Sequence, residues 1–451
     1  MENTTENQKN QEQTSNHNEV DNQYKKALEE LEIRIKNIEN EDISENDKGE
    51  CLSDEFFNFI LNNLPENKKL THLIGIISET IKNNSKFAFK IISSFTQSCI
   101  FKEKSLKDIG TDISKIINTD KIKDDLDLVF NIVNGFIQGC LIRKPDNIKE
   151  IAEGFSNSLN RTEDKIKDKL KPMFSLIISQ YFINTLTNSS SEQLSEEDKE
   201  QTETKLFECY KKLFHEGDNG KSESFKDIPL KELLNLQDKY LKEKFKIYND
   251  MNSGGTEYEV FLKMACNLML KSEGNKELTV ADLEDKKDIF KDLKFIELKY
   301  NDGIKSKYKL FNKIRLKPND FGAKREGSDF SIVHCTHLNH AFVIIIDKTK
   351  KWKDAINKDI ESIYLIDSSG SIEYEKQEDI LPKEKGKIFK STPTLNDYDY
   401  QKNGTCWLNA MSAVGFLLER QQKRIAEQKK NNKNKLNKQS NMNNNLKNLM
   451  V

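Results

Sequence analysis

Residues Phe89–Ile100 read FKIISSFTQSCI, and residues Phe130–Leu141 read FNIVNGFIQGCL. The two segments match at an offset of 130 − 89 = 41, with aromatic, β-branched, small and cysteine positions in the same order. Just downstream, LKDIGTDISKIIN from Leu106 pairs with IKEIAEGFSNSLN from Ile148, an offset of 148 − 106 = 42. Two unlike segments therefore recur with one period. Each carries apolar residues at helical spacing, so the unit is a pair of helices, and LTHLIGIISETI before and MFSLIISQYFINTL after read as partial flanking units. Helix pairs of this kind cannot bury their apolar faces alone and stack into an α-solenoid.

In repeat length the pattern resembles HEAT or armadillo-type arrays, although no diagnostic repeat motif is matched. Cys99 and Cys140 fall at equivalent positions and read as small buried hydrophobes rather than reactive thiols. At 451 residues the chain is long enough for more than one core. A formal net charge of −2, with 72 basic and 74 acidic residues, gives no electrostatic case for nucleic acid or a membrane surface. The start, MENTTENQKN, lacks the features of a signal peptide, and no apolar run approaches the about 20 residues that span a bilayer. The seven cysteines are scattered with no CxxC pair, which fits a reducing, cytoplasmic setting, that of a host cell included.

Residues 1–22 are polar and almost free of large apolar side chains, so they read as disordered. Residues 23–190 form the helical repeat domain. From 191 to 228 the composition turns to Ser, Glu, Lys, Asp and Gly and reads as a linker, with a short helical segment around KLFECYKKLF inside it. Residues 423–451 hold eight Lys or Arg against one acidic residue and read as a solvated basic tail. Between these, residues 229–422 change character. KFIELKY, YKLFNKIRL, AFVIIID and SIYLID read as strands, framed by helices EVFLKMACNLML and CWLNAMSAVGFLLE. The fold class expected is multidomain: an all-α repeat followed by an α+β domain whose core is 290–422.

Polar residues sit at the ends of the apolar strands. His340 immediately precedes AFVIIID, and Asp367 closes YLID on what reads as the adjacent strand. Gln401 and then Cys406 follow in a loop, with Cys406 at the mouth of a helix whose Trp407, Met411, Val414 and Leu418 form one apolar stripe. A thiol at a helix N-terminus faces the positive end of the helix dipole, which favours thiolate. With a base, a carboxylate to orient it and an amide donor for the oxyanion, the set is complete for acyl transfer.

The order His, Asp, Gln, Cys resembles the ubiquitin-like protease clan of adenovirus-type proteases, SUMO proteases and bacterial effector deubiquitinases. It is carried by HAFVIIID at His340, YLIDS at Asp367 and QKNGTC at Gln401. The resemblance implies a cysteine protease domain in which His340 is the general base, Asp367 its partner, Gln401 the oxyanion donor and Cys406 the nucleophile. It implies ubiquitin or a ubiquitin-like protein as partner and an effector working in a host cell, with the repeats binding a further protein. The chain departs from the family at Ala341, where tryptophan is usual, at Trp407, where glycine is usual, and in the Gln401–Cys406 spacing, one residue shorter.

Two other readings use the same residues. Acetyltransferases of the clan use the same thiol, and a helical adaptor with a degenerate peptidase domain uses none of them. HCTHLNH, from His334 to His340, places three histidines and Cys335 together, with His337 a second candidate base. Ligands on one extended segment alternate between faces and no second Cys/His cluster exists, so no metal and no cofactor are expected.

Overall fold

The computed structural model describes residues 3–64, 70–120, 122–187, 195–214, 222–248, 255–273, 277–291, 293–297, 330–337, 340–353, 359–366, 386–390 and 406–449. The chain divides into two compact units, one of residues 1–181 with 194–225 and one of 182–193 with 226–451. The protein is a helical region joined to an α+β part.

The first unit holds α1 (Asn3–Asn40), α2 (Glu45–Asn63), α3 (Thr71–Asn83), α4 (Ala88–Phe101), α5 (Leu106–Ile117), α6 (Leu126–Arg143), α7 (Ile148–Ser158), α8 (Asp164–Leu170), most of α9 (Phe174–Leu186) and α10 (Glu196–Leu213). The starts of several are written in the sequence as a serine with an aspartate three residues on. The hydroxyls of Ser44, Ser105 and Ser195 accept from the backbone N–H of Asp47, Asp108 and Asp198, satisfying N–H groups the helix itself leaves open. α2, α4 and α6 lie side by side in one layer, and α3, α5, α7 and α10 in a second. The 41-residue match of α4 with α6 and the 42-residue match of α5 with α7 are thus matches between stacked neighbours.

Small residues set how closely these neighbours approach. A Cβ on Gly135 would fall 2.6 Å from the Phe89 carbonyl oxygen, and one on Gly110 would fall 2.0 Å from that of Gly154. Cys99 and Cys140 are fully buried, and burial pushes both thiols well above their ordinary pKa, Cys99 to about 12. They are core, as their paired positions predict. Among the described residues α6 alone is long and apolar enough to cross a membrane, and 78% of it is buried within its layer.

The second unit holds α11 (Leu230–Tyr248), α12 (Phe261–Glu273), α13 (Val280–Asp285), a five-stranded sheet and α14 (Cys406–Leu449). The strands are β1 (Leu293–Glu297), β2 (Phe330–His337), β3 (His340–Lys353), β4 (Asp359–Ile366) and β5 (Gly386–Lys390), in that spatial order. β2, β3 and β4 are antiparallel neighbours, and β1 and β5 join the two edges in parallel. α14 packs on β3, β2 and α12.

Three stretches differ from expectation. Residues 3–22, read as disordered, are the first half of α1, whose later part carries the buried stripe Tyr24, Leu28, Leu31 and Ile35. Residues 423–449, read as a tail, continue α14. In both cases a polar segment extends a helix already nucleated by a packed portion, so the costly first turn is not repeated. The short helical segment read inside the linker at KLFECYKKLF is the end of a longer helix, α10, which packs on α7 through Leu206, Cys209, Tyr210 and Leu213. The strand expected at YKLFNKIRL lies outside the described residues.

Candidate active site

Cys406 is the first residue of α14, as its position between a polar loop and an apolar stripe predicts. Trp407, Met411, Val414 and Leu418, the stripe read from the sequence, are all buried. Gly415 allows Met264 of α12 against the same helix, where a Cβ would meet Met264 Cγ at 3.0 Å. Cys406 itself is only 4% exposed and is in no disulfide.

His340 opens β3 and pairs across the hairpin with His337. β4 ends at Ile366, whose partner on β3 is Val343, three residues past His340. The end of β4 that leads into Asp367 and the start of β3 therefore lie at the same end of the sheet. Asp367 and Gln401 themselves lie outside the described residues. Of the four candidates, the described chain thus places the backbone of His340 and the whole of Cys406 on two elements packed together, β3 and α14.

Under the first turn of α14 is a buried polar cluster that sequence reading missed. Lys244 Nζ lies 2.8 and 2.9 Å from the carboxylate oxygens of Glu259, with both side chains almost wholly buried. The Tyr240 hydroxyl donates to the same carboxylate at 2.6 Å, and the Thr256 backbone N–H donates to it at 2.9 Å. A buried ion pair is tolerable only when its remaining hydrogen-bonding capacity is met, and here it is. The cluster reaches α14 through Trp407: Lys244 Nζ lies 5.2 Å from a Trp407 ring centroid, and the Phe245 ring lies tilted by 30° at 6.4 Å. Gly255 lies flat against the indole, where a Cβ would come within 2.2 Å. The one sequence signal was Thr256-Glu257-Tyr258-Glu259, a capping box of the T-x-x-E kind.

His334 of β2 is fully buried, and neither ring nitrogen has a hydrogen-bond partner among the described residues. Burial lowers its pKa from 6.5 to about 4, so it is neutral at physiological pH. Its ring sits 5.2 Å from that of Phe295, which in turn meets Phe261 of α12. His334 is a core residue of the sheet, apart from the hairpin end where His337 and His340 lie. No group of three or more potential metal-binding side chains occurs among the described residues.

No family model matches the chain, and neither a curated protein nor a solved structure matches it.

Proposed function

We propose that the chain is a cysteine isopeptidase acting on ubiquitin or a ubiquitin-like protein, an effector that works in a host cell and uses its helical repeats to select where it acts. The observation that carries this reading is the common sheet end of β3, which opens at His340, and β4, which leads into Asp367, with the Cys406 helix packed on β3. In the proposed reaction the imidazole of His340 takes the Cys406 thiol proton and the thiolate attacks the isopeptide carbonyl. The lysine amine leaves with that proton, and water hydrolyses the thioester. Asp367 orients the imidazole, and Gln401 with backbone amides at the start of α14 stabilises the oxyanion. A ubiquitin probe ending in a vinyl electrophile is expected to label the wild-type chain and not Cys406→Ala. Labelling that persists in Cys406→Ala would remove the assignment.

A second reading is favoured by the burial of Cys406: a helical adaptor whose α+β part keeps the cysteine as a packing residue. It predicts that no ubiquitin-like probe labels the wild type and that labelled acetyl-CoA leaves no label on Cys406. Acetyl label retained on that thiol assigns the transferase chemistry instead.

A further inference from the structure

The helical unit leaves two large apolar side chains of its repeats more than half exposed, Phe101 at 54% and Ile142 at 55%. They are one position of the repeat, since 142 − 101 = 41, and each lies in the last turn of its helix, α4 and α6. One exposed apolar side chain is ordinary, but the same position left exposed on stacked neighbours makes a surface. Phe57 of α2 extends it by a further helix, its ring meeting that of Phe101 edge-on with centroids 6.1 Å apart. Arg143 completes it: its guanidinium carbon lies 4.3 Å from the Phe101 centroid, and its Nε donates to Gln97 Oε1 at 3.1 Å.

Those two contacts leave Arg143 without a carboxylate among the described residues, and Lys102, beside Phe101, has none either. Lys144, by contrast, is held 3.6 Å from Glu150. The edge therefore combines an apolar ladder with uncompensated positive charge. A guanidinium already stacked on a ring is held in one plane, which suits it to a carboxylate. The ladder also has a pitch. Packed helices stand about 8–10 Å apart, and a polyproline II chain advances about 9 Å in the three residues that bring a side chain back to the same side.

We propose that the edge formed by Phe57, Phe101, Ile142 and Arg143 docks an acidic peptide segment in the polyproline II conformation, with an apolar residue at every third position. This surface lies wholly in the helical unit and stands or falls separately from the chemistry of Cys406. The test uses the full chain and a fluorescein-labelled peptide, Asp-Glu-Leu-Pro-Glu-Leu-Pro-Glu-Leu-Glu-Asp, followed by anisotropy. Saturable binding is expected, weakened at least tenfold by Phe101→Ser and by Arg143→Glu, and unchanged by Cys406→Ala or by Ile33→Ser, which alters an exposed apolar residue on α1. A peptide with lysine in place of its acidic residues is expected not to bind. Because Phe101, Arg143 and Ile33 are exposed, their variants should keep the wild-type melting curve. Absence of saturable binding, or equal binding by Phe101→Ser, overturns the proposal. So does a wild-type dimer in sedimentation that Phe101→Ser dissociates, since the occupant is then a second copy.

Discussion

The helical unit and the α+β unit solve burial in opposite ways. In the first, one contact is made repeatedly: a small residue on one helix accepts the backbone of the next, and most charged pairs, such as Lys165 with Asp124 at 2.9 Å, stay at the surface. In the second, each element occurs once, and a full ion pair goes inside, Lys244–Glu259 under Trp407, as does His334, whose ring nitrogens have no partner among the described residues. A stacked array distributes its stability over many similar interfaces, whereas the α+β unit contains an almost wholly buried ion pair whose breaking is costly. Substitutions should therefore act steeply and locally in the second unit and in small, graded steps in the first.

The largest effect is expected at Glu259. Glu259→Ala leaves Lys244 and the Tyr240 hydroxyl buried without their acceptor, and breaking a buried pair this way costs about 3–5 kcal/mol. Hydrogen exchange read by peptide mass spectrometry should show α11, α12 and the start of α14 losing protection while α4 to α7 keep theirs. Equal loss in both units would mean that they do not unfold separately.

His334 comes next. Its folded pKa, about 4, lies below the unfolded value of 6.5, so the unfolded chain binds the proton more readily. Stability is then full above about pH 6.5 and falls as the pH drops toward 4, by up to about 3 kcal/mol for this group. His334→Phe should flatten that part of the stability profile for the α+β unit. An unchanged acid slope would place the responsible group elsewhere.

A third test separates two glycines of the helical unit. Gly110→Ala sets a Cβ against the Gly154 backbone, where no flexible side chain can yield, and should cost about 2 kcal/mol. Gly75 has open space around its Cβ position, so Gly75→Ala should instead stabilise α3 by about 0.5–1 kcal/mol. Thermal melts of the two variants should shift in opposite directions.

How much of this was legible follows from where the information lies. The helical stack was readable because a repeat states its own geometry twice, in the 41-residue offset of α4 and α6. β3 and β4 were readable because AFVIIID and SIYLID are nearly unbroken apolar runs. β2 is harder to read, because only Phe330–Val333, with three large apolar residues, carries a strand pattern and its second half, HCTH, is polar. β5, GKIFK, has only two apolar residues and no alternation to announce it. At the site, the helix start at Cys406 and its stripe were local patterns. The Glu259 cluster was not, since Tyr240, Lys244 and Glu259 meet only after α11 and the turn before α12 fold together, and no spacing rule links them.

Another small effect is expected at the end of α4, and it sharpens the contrast between repeats. Glu103 holds φ at +56°, the left-handed region where a Cβ is strained. It does so because the helix closes in a Schellman turn: the Glu103 N–H bonds the Ile100 carbonyl at 3.0 Å, and the Lys104 N–H bonds the Cys99 carbonyl at 3.1 Å. α6 ends without that turn, since Lys144 caps it at φ −137°. Glu103→Gly keeps both hydrogen bonds and removes the strain, so it should stabilise the helical unit by about 1 kcal/mol and raise its melting temperature by about 2–4 °C. Lys144→Gly, at a position with no left-handed backbone to relieve, should lower it slightly through the added freedom of the unfolded chain. Equal shifts in the two variants would mean that the Schellman turn does not govern the end of α4.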